Sequence, residues 1–290
     1  MPASRSHGIP KRDVQFDFSK VNLRHWHPDG TLLSHYFNVQ SLLFPQGERF
    51  FIRSVRHFRE QIRDPLLQQQ VAGFIAQEAM HGREHEAYNA ALAGIGYPVG
   101  KMERWVSRLL WLAEKAMTSK ERLAMTVALE HLTAIGAADL LEDERLLAGA
   151  DPEMARLWRW HAMEETEHKA VAFDVYREVA GTGWWAWFRR CWVMLQVSAL
   201  MQLMILMFLL QATARCGSLL DLSGWRALFR SLWLTPGPMR RQFRRYWQFF
   251  RPGFHPWQID NYQQIEHWQV LYADDAPDKA PLNTTLRQMA

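Results

Sequence analysis

Two Glu-x-x-His pairs, Glu78-Ala-Met-His81 and Glu165-Thr-Glu-His168, constrain this chain more than any other feature. A spacing of three residues places both side chains of each pair on one helix face. Both surroundings read as helix, opened by Asp64-Pro65 and Asp151-Pro152, an N-cap followed by a first-turn proline. Two further helical stretches each carry one carboxylate among apolar neighbours. Glu48 shares its face with Phe44, Phe51, Ile52 and Val55, and Glu130 shares its own with Leu123, Val127, Ala134 and Ala137. A buried, ionised carboxylate without a partner is costly, or it takes up a proton. Four such groups converging with two histidines call for about four units of positive charge, which two divalent ions would supply.

The order along the chain is Glu, Glu-x-x-His, Glu, Glu-x-x-His, with 30 residues from Glu48 to Glu78 and 35 from Glu130 to Glu165. Each separation suits a helical hairpin that returns to the same level. A connecting helix over Lys101 to Met117 joins the two hairpins. The expectation is an all-α, ferritin-like four-helix bundle with a dinuclear metal site and additional C-terminal apolar and basic helices. Pro45 starts a helix expected to run to about Arg63, and the helix from Asp64 ends at Gly94 and Gly96. Thr118-x-x-Glu121 is a capping box whose helix is expected to end near Ala148. The helix from Asp151 is expected to continue to Gly181. Residues 1–30 read as a poorly structured N-terminal arm and 31–182 as the bundle. Residues 183–250 read as an apolar and basic-aromatic extension, and 251–290 as a C-terminal segment and tail.

Two more histidines share the faces of the pairs. His161, Glu165 and His168 fall within about 60° on a helical wheel, as do Glu78, His81 and His85. His161 is therefore a candidate seventh ligand and His85 a residue behind the ligands. Imidazole-rich sets favour iron, with manganese or zinc as the other candidates. The register of the last pair is open: Glu164, four residues before His168, competes with Glu165. His131 points about 100° away from Glu130 and reads as structural, and His25, His27 and His35 share no helical register.

The phrases Phe44-Pro-Gln-Gly-Glu-Arg-Phe-Phe51, Gln77-Glu-Ala-Met-His-Gly-Arg-Glu-His85 and His161-Ala-Met-Glu-Glu-Thr-Glu-His-Lys-Ala-Val-Ala-Phe-Asp174 resemble a bacterial family in the ferritin-like superfamily, that of predicted metal-dependent hydrolases. Pro252-Gly-Phe-His-Pro256 looks like that family's closing motif, and the resemblance covers roughly residues 20–270. It implies a ferritin-like di-metal protein and, by the family's description, hydrolysis. The run His161, Glu165, His168 is also similar to di-iron arylamine N-oxygenases, over one helix.

Cys191 to Leu210 is twenty residues without a charge, about the length needed to cross a bilayer. It reads as a membrane span, a helix lying in one leaflet, or a helix buried against the bundle or a second copy in a homodimer. Seven arginines follow between Arg226 and Arg251 with no acid among them, interleaved with aromatics. Lipid phosphates suit them better than nucleic acid, since no nucleic-acid module accompanies them. The two cysteines make no disulfide framework, and the amino terminus has no apolar stretch. These features point to the cytoplasm, at the inner face of the cytoplasmic membrane.

The leading expectation is a di-iron oxidase or oxygenase that takes dioxygen, an electron donor and a small apolar or amphiphilic substrate. A metal-dependent hydrolase with a dinuclear-metal-activated water is the alternative, and a non-catalytic metal-binding, membrane-associated protein a further one.

Overall fold

Prolines and capping side chains set the helix starts in the computed structural model, which describes residues 8–272. Pro45, Pro65 and Pro152 each lie in a first turn, where a missing N–H costs nothing. Asp64 Oδ1 accepts from Leu66 N at 2.9 Å, and Asp151 Oδ1 accepts from Glu153 N and Met154 N at 3.0 and 3.3 Å. The capping box of Thr118 and Glu121 is closed in both directions.

The helices that result are α1 (Thr31–Ser41), α2 (Phe44–Arg56), α3 (Pro65–Gly94), α4 (Val99–Ala116), α5 (Ser119–Glu142), α6 (Pro152–His168), α7 (Val171–Ala180), α8 (Trp184–Arg215), α9 (Leu222–Phe229), α10 (Pro238–Gln248) and α11 (Tyr262–Leu271). No strand occurs among the described residues. The α2–α3 pair faces the α5–α6 pair, with α7 continuing along α3 and α5. α4 lies across α2 and α3. Its apolar side, with Met102 and Val106 buried, faces inward.

Several element boundaries differ from expectation. α2 ends at Arg56, and a 3-10 turn at Arg59–Gln61 carries the chain to Asp64-Pro65. α5 ends at Glu142, because Asp143 caps the following 3-10 turn by accepting from Arg145 N at 3.3 Å. The last long helix is broken between α6 and α7. There Lys169 turns inward, and its Nζ donates to Ile259 O at 2.8 Å and to Asn261 Oδ1 at 2.5 Å.

One regional expectation needs correction. The first seven residues of the N-terminal arm lie outside the described residues, but the rest of it is not loose. Val14, Phe18, Leu23 and Trp26 are buried. Phe16 N donates to Glu84 Oε2 at 3.2 Å and Asp17 N to Glu153 Oε1 at 2.8 Å. Gly73 of α3 makes room for this segment, since a Cβ there would stand 2.6 Å from both the carbonyl oxygen and the Cβ of Ile9. The extension at 183–250 lies against the bundle: α8 packs on α5 and α1, α9 on α1, and α10 on α5. Met194, Phe208 and Ala212 of α8 are fully buried in the common core. Of the C-terminal tail, residues 273–290 lie outside the described residues.

Candidate metal centre

Every residue from Trp160 to Phe173 is buried, so this helix hides its polar side chains as well as its apolar ones. Each buried polar group must then find a partner. Glu165 Oε1 lies 3.1 Å from His161 Nε2 and 3.6 Å from both His81 Nδ1 and His168 Nε2. His168 Nε2 stands 3.1 Å from Glu78 Oε1 and 3.5 Å from Glu130 Oε2. Glu48 completes the ring from α2, and it approaches closely because Gly82 lacks a side chain: a Cβ there would be 3.1 Å from Glu48 Oε2. The structure thus brings together Glu48, Glu78, His81, Glu130, His161, Glu165 and His168.

Within this cluster three groups place ligand atoms within 4.8 Å of one another: Glu48, His81 and His161; Glu78, His81 and Glu165; and Glu78, Glu130 and His168. Each could hold a metal ion. Shared members, His81 and Glu78, link the three groups.

The two histidines of the pairs are oriented from behind. His81 meets Glu164 Oε2 with its other nitrogen, Nε2, at 3.1 Å, and His168 meets Gln77 Oε1 with Nδ1 at 2.9 Å. A ligating imidazole needs this arrangement, one nitrogen inward and the other held by a carboxylate or amide oxygen. The inward nitrogens, both oxygens of Glu48, Glu78 and Glu130, and Glu165 Oε2 make no hydrogen bond within the protein. His161 is held similarly: its Nδ1 lies 2.7 Å from His85 Nε2, and His85 Nδ1 lies 2.8 Å from Ser41 Oγ. His85 therefore stands behind His161.

Both glutamates of the open register are buried, on different sides of α6. Glu165 faces the cluster, whereas Glu164 joins His81 to Arg12, whose Nη1 donates to Glu164 Oε1 at 2.9 Å. Arg12 also holds Glu167, at 2.8 and 2.7 Å. The sequence reading did not anticipate Arg12, Gln77, Glu167 or Ser41. Gln77 carried a signal, as a polar residue beside Glu78 in a helix with little exposed surface at that level. Arg12 carried none, because its segment has no periodicity.

Burial, reinforced by neighbouring carboxylates, pushes Glu48, Glu78 and Glu130 well above the usual carboxylate range. Burial would raise Glu165 too, but His168 and His161 outweigh it and hold Glu165 low. His168 is lifted to about 9 despite its burial, chiefly by Glu165. Burial and then the neighbouring His161 depress His81 and His85. Burial lifts Glu164 to about 8 against the opposing pull of Arg12. Without a cation the three raised carboxyls take up protons and Glu165 pairs with His168, while nitrogen and oxygen donors in this mixture suit iron, manganese or zinc. The residues fit a metal.

An apolar chamber of about 380 Å³ meets the cluster at His161 and Glu165. Phe44, Phe51 and Trp158 line it near the cluster, and Val197 and Ile205 of α8 line it further out.

Fold and site together define an all-helical protein with a buried carboxylate–imidazole centre able to take metal. A family model described as predicted metal-dependent hydrolase matches residues 10–260, and the chain belongs to that family. No curated protein and no solved structure matches the chain.

Proposed function

We propose that the protein is a metal-dependent enzyme with a ferritin-like core, in which the cluster binds two divalent ions and the reaction is hydrolysis of an ester-type bond in an apolar or amphiphilic substrate. One observation carries the metal reading. The inward-facing atoms of Glu48, Glu78, Glu130, His81 and His168 have no protein hydrogen bonds, while the outward nitrogens of both histidines are held. Family membership favours hydrolysis over the oxygen chemistry that the sequence pattern first suggested.

Bound there, the ions would supply either an activated water for hydrolysis or, if iron, a centre reactive towards dioxygen. The chain's own residues prepare the surroundings. Glu164 and Gln77 fix the ring orientations of His81 and His168, and Arg12 balances the charge behind them. Ser41 and His85 hold the His161 ring, which stacks on His81 with centroids 4.1 Å apart. Phe44 packs against His161, ring centroids 4.6 Å apart, and gives the chamber an apolar wall beside it.

Oxygen activation remains a second reading, favoured by one feature. Three imidazoles, His81, His161 and His168, lie around Glu165 in a site fed by an apolar chamber, which suits iron and an apolar substrate.

Metal analysis of the purified full chain beside Glu130→Gln, with two activity assays, tests these readings. Two ions per chain in the parent and loss of metal in the variant are expected. Turnover of a p-nitrophenyl acyl ester without oxygen or reductant supports hydrolysis. Oxygen uptake with a reductant, and no ester turnover, transfers the assignment to an oxidase. Absence of bound metal after reconstitution overturns both.

A further inference from the structure

The outer face of α8 is unlike the surface of a soluble helix. Phe188, Trp192, Leu195, Leu203, Leu206 and Leu210 are all 42 % or more exposed and, with exposed Ala199 between Leu195 and Leu203, recur at three- and four-residue spacing. The stripe is about 33 Å long at the α-helical rise, and monomeric soluble proteins rarely leave so long an apolar strip uncovered. Three facts say what covers it. Trp184 and Trp185 mark its start, where interfacial aromatics belong. The exposed arginines Arg226, Arg230, Arg240 and Arg244 lie in the elements that follow, beside exposed Phe229, Trp233, Phe243 and Trp247. The opposite face of α8 is packed on α5 and α1, so the helix offers one apolar side rather than the all-round apolar surface of a crossing segment. An anionic lipid surface satisfies the charge and the apolar side together.

The chamber opens beside this face, along one edge of it. Exposed Gln196 and Leu200 of α8 and half-buried Met239 and Gln242 of α10 form its outer lining, and His161 and Glu165 its inner end. Gly136 of α5 also lines it, and a Cβ added there would meet nothing within 4 Å. We propose that α8 and α10 lie on an anionic membrane leaflet and that the chamber draws a single lipid acyl chain from that leaflet up to His161 and Glu165. The identification of that inner end as the reacting centre rests on the metal reading above; membrane docking and chain uptake do not.

The test uses the full chain and three readouts: flotation with vesicles of phosphatidylcholine with or without phosphatidylglycerol, equilibrium dialysis against radiolabelled palmitate, and metal content. The parent should bind the anionic vesicles at least about tenfold more tightly than the neutral ones, given four exposed arginines. The double variant Leu203→Glu/Leu206→Glu should lose vesicle binding and keep palmitate. Gly136→Phe should keep vesicle binding and lose palmitate by about tenfold or more, as a ring occupies the chain's path. Both variants should retain the parent's helical circular dichroism and metal content. Palmitate binding unchanged in folded Gly136→Phe overturns the chamber assignment. Vesicle binding that is absent, or indifferent to the α8 glutamates, overturns the membrane assignment. So does a dimer that those glutamates split, since a second copy would then cover α8. A parent that binds vesicles and palmitate but no metal refutes the metal centre and leaves this inference standing.

Discussion

His81 and His168 show how a buried imidazole is prepared for a metal, and Arg12 shows what that preparation requires further out. The Glu164 carboxyl that holds His81 is itself buried, and Arg12 reaches both it and the buried Glu167. Breaking a buried pair by removing one partner typically costs about 3–5 kcal/mol, because the other charge is left stranded. Arg12→Leu should therefore lower the unfolding free energy by that amount, read as a lower urea midpoint at unchanged slope. Glu167 softens the loss only partly, since it also accepts from Gln77 at 2.7 Å and from Gln269 at 2.6 Å. A second buried group sets a pH dependence. His35 is buried beside Tyr97, and desolvation, then His25 and Arg24, depress it to about 4. Its ordinary value is about 6.5. The unfolded chain thus takes up a proton that the folded chain refuses between those limits. The stabilisation from keeping His35 neutral is complete above pH 6.5 and is lost as pH falls towards 4, by up to about 3 kcal/mol. Urea titrations at pH 7 and pH 5 should show a smaller difference for His35→Gln than for the parent.

At the scale of the elements, close packing and helix propensity disagree at Gly73, and their magnitudes decide the outcome. Alanine in a helix interior is better than glycine by about 1 kcal/mol. An added Cβ, however, would stand 2.6 Å from the backbone oxygen of Ile9, which no rotamer change relieves, and overpacking of this kind costs about 1–3 kcal/mol. Gly73→Ala should be neutral to destabilising overall and should release the segment around Ile9, seen as faster limited proteolysis there with α3 still protected. The helix starts were legible because capping side chains and prolines act locally; Asp64-Pro65, Thr118 and Asp151-Pro152 name them outright. The helix ends at Arg56 and Glu142, and the break after His168, were not legible. They depend on partners such as Asn261, distant in sequence, that neither periodicity nor propensity encodes. The packed N-terminal segment was hidden for the same reason: its contacts to Glu84 and Glu153 are all long-range.

For the whole molecule, the seven residues singled out around the cluster do converge, because i,i+3 spacing and hairpin-length separations constrain position in space. The residues behind them were largely invisible, since an outer hydrogen bond such as that of Ser41 needs only contact and leaves no pattern. The converged carboxylates oppose one another in the metal-free protein, and ions binding the folded state alone would raise its stability by mass action. Metal loading should raise the melting temperature by several degrees, a ligand excess of about a hundredfold over Kd being worth roughly 2.7 kcal/mol. Chelation should reverse it, and calorimetry with and without chelator checks both.

The basic segment is also less available than its composition implies. Arg241 and Arg245 both donate to Asp139 of α5, at 2.8 and 3.1 Å. That pairing ties α10 to the bundle, and Arg226, Arg230, Arg240 and Arg244 remain exposed.

The clasp between Arg12 and Glu164 closes a loop of 152 residues. In a growing polypeptide the arginine is made early, and its carboxylates come only once α6 has been translated. Until then the guanidinium has no buried counterpart, and the histidine that Glu164 steadies has no fixed orientation. Closing so long a loop is slow relative to forming the helices it joins. On the metal reading proposed above, loading of the centre would follow synthesis of α6, and any metal-delivering factor would meet helices already formed and a clasp still open.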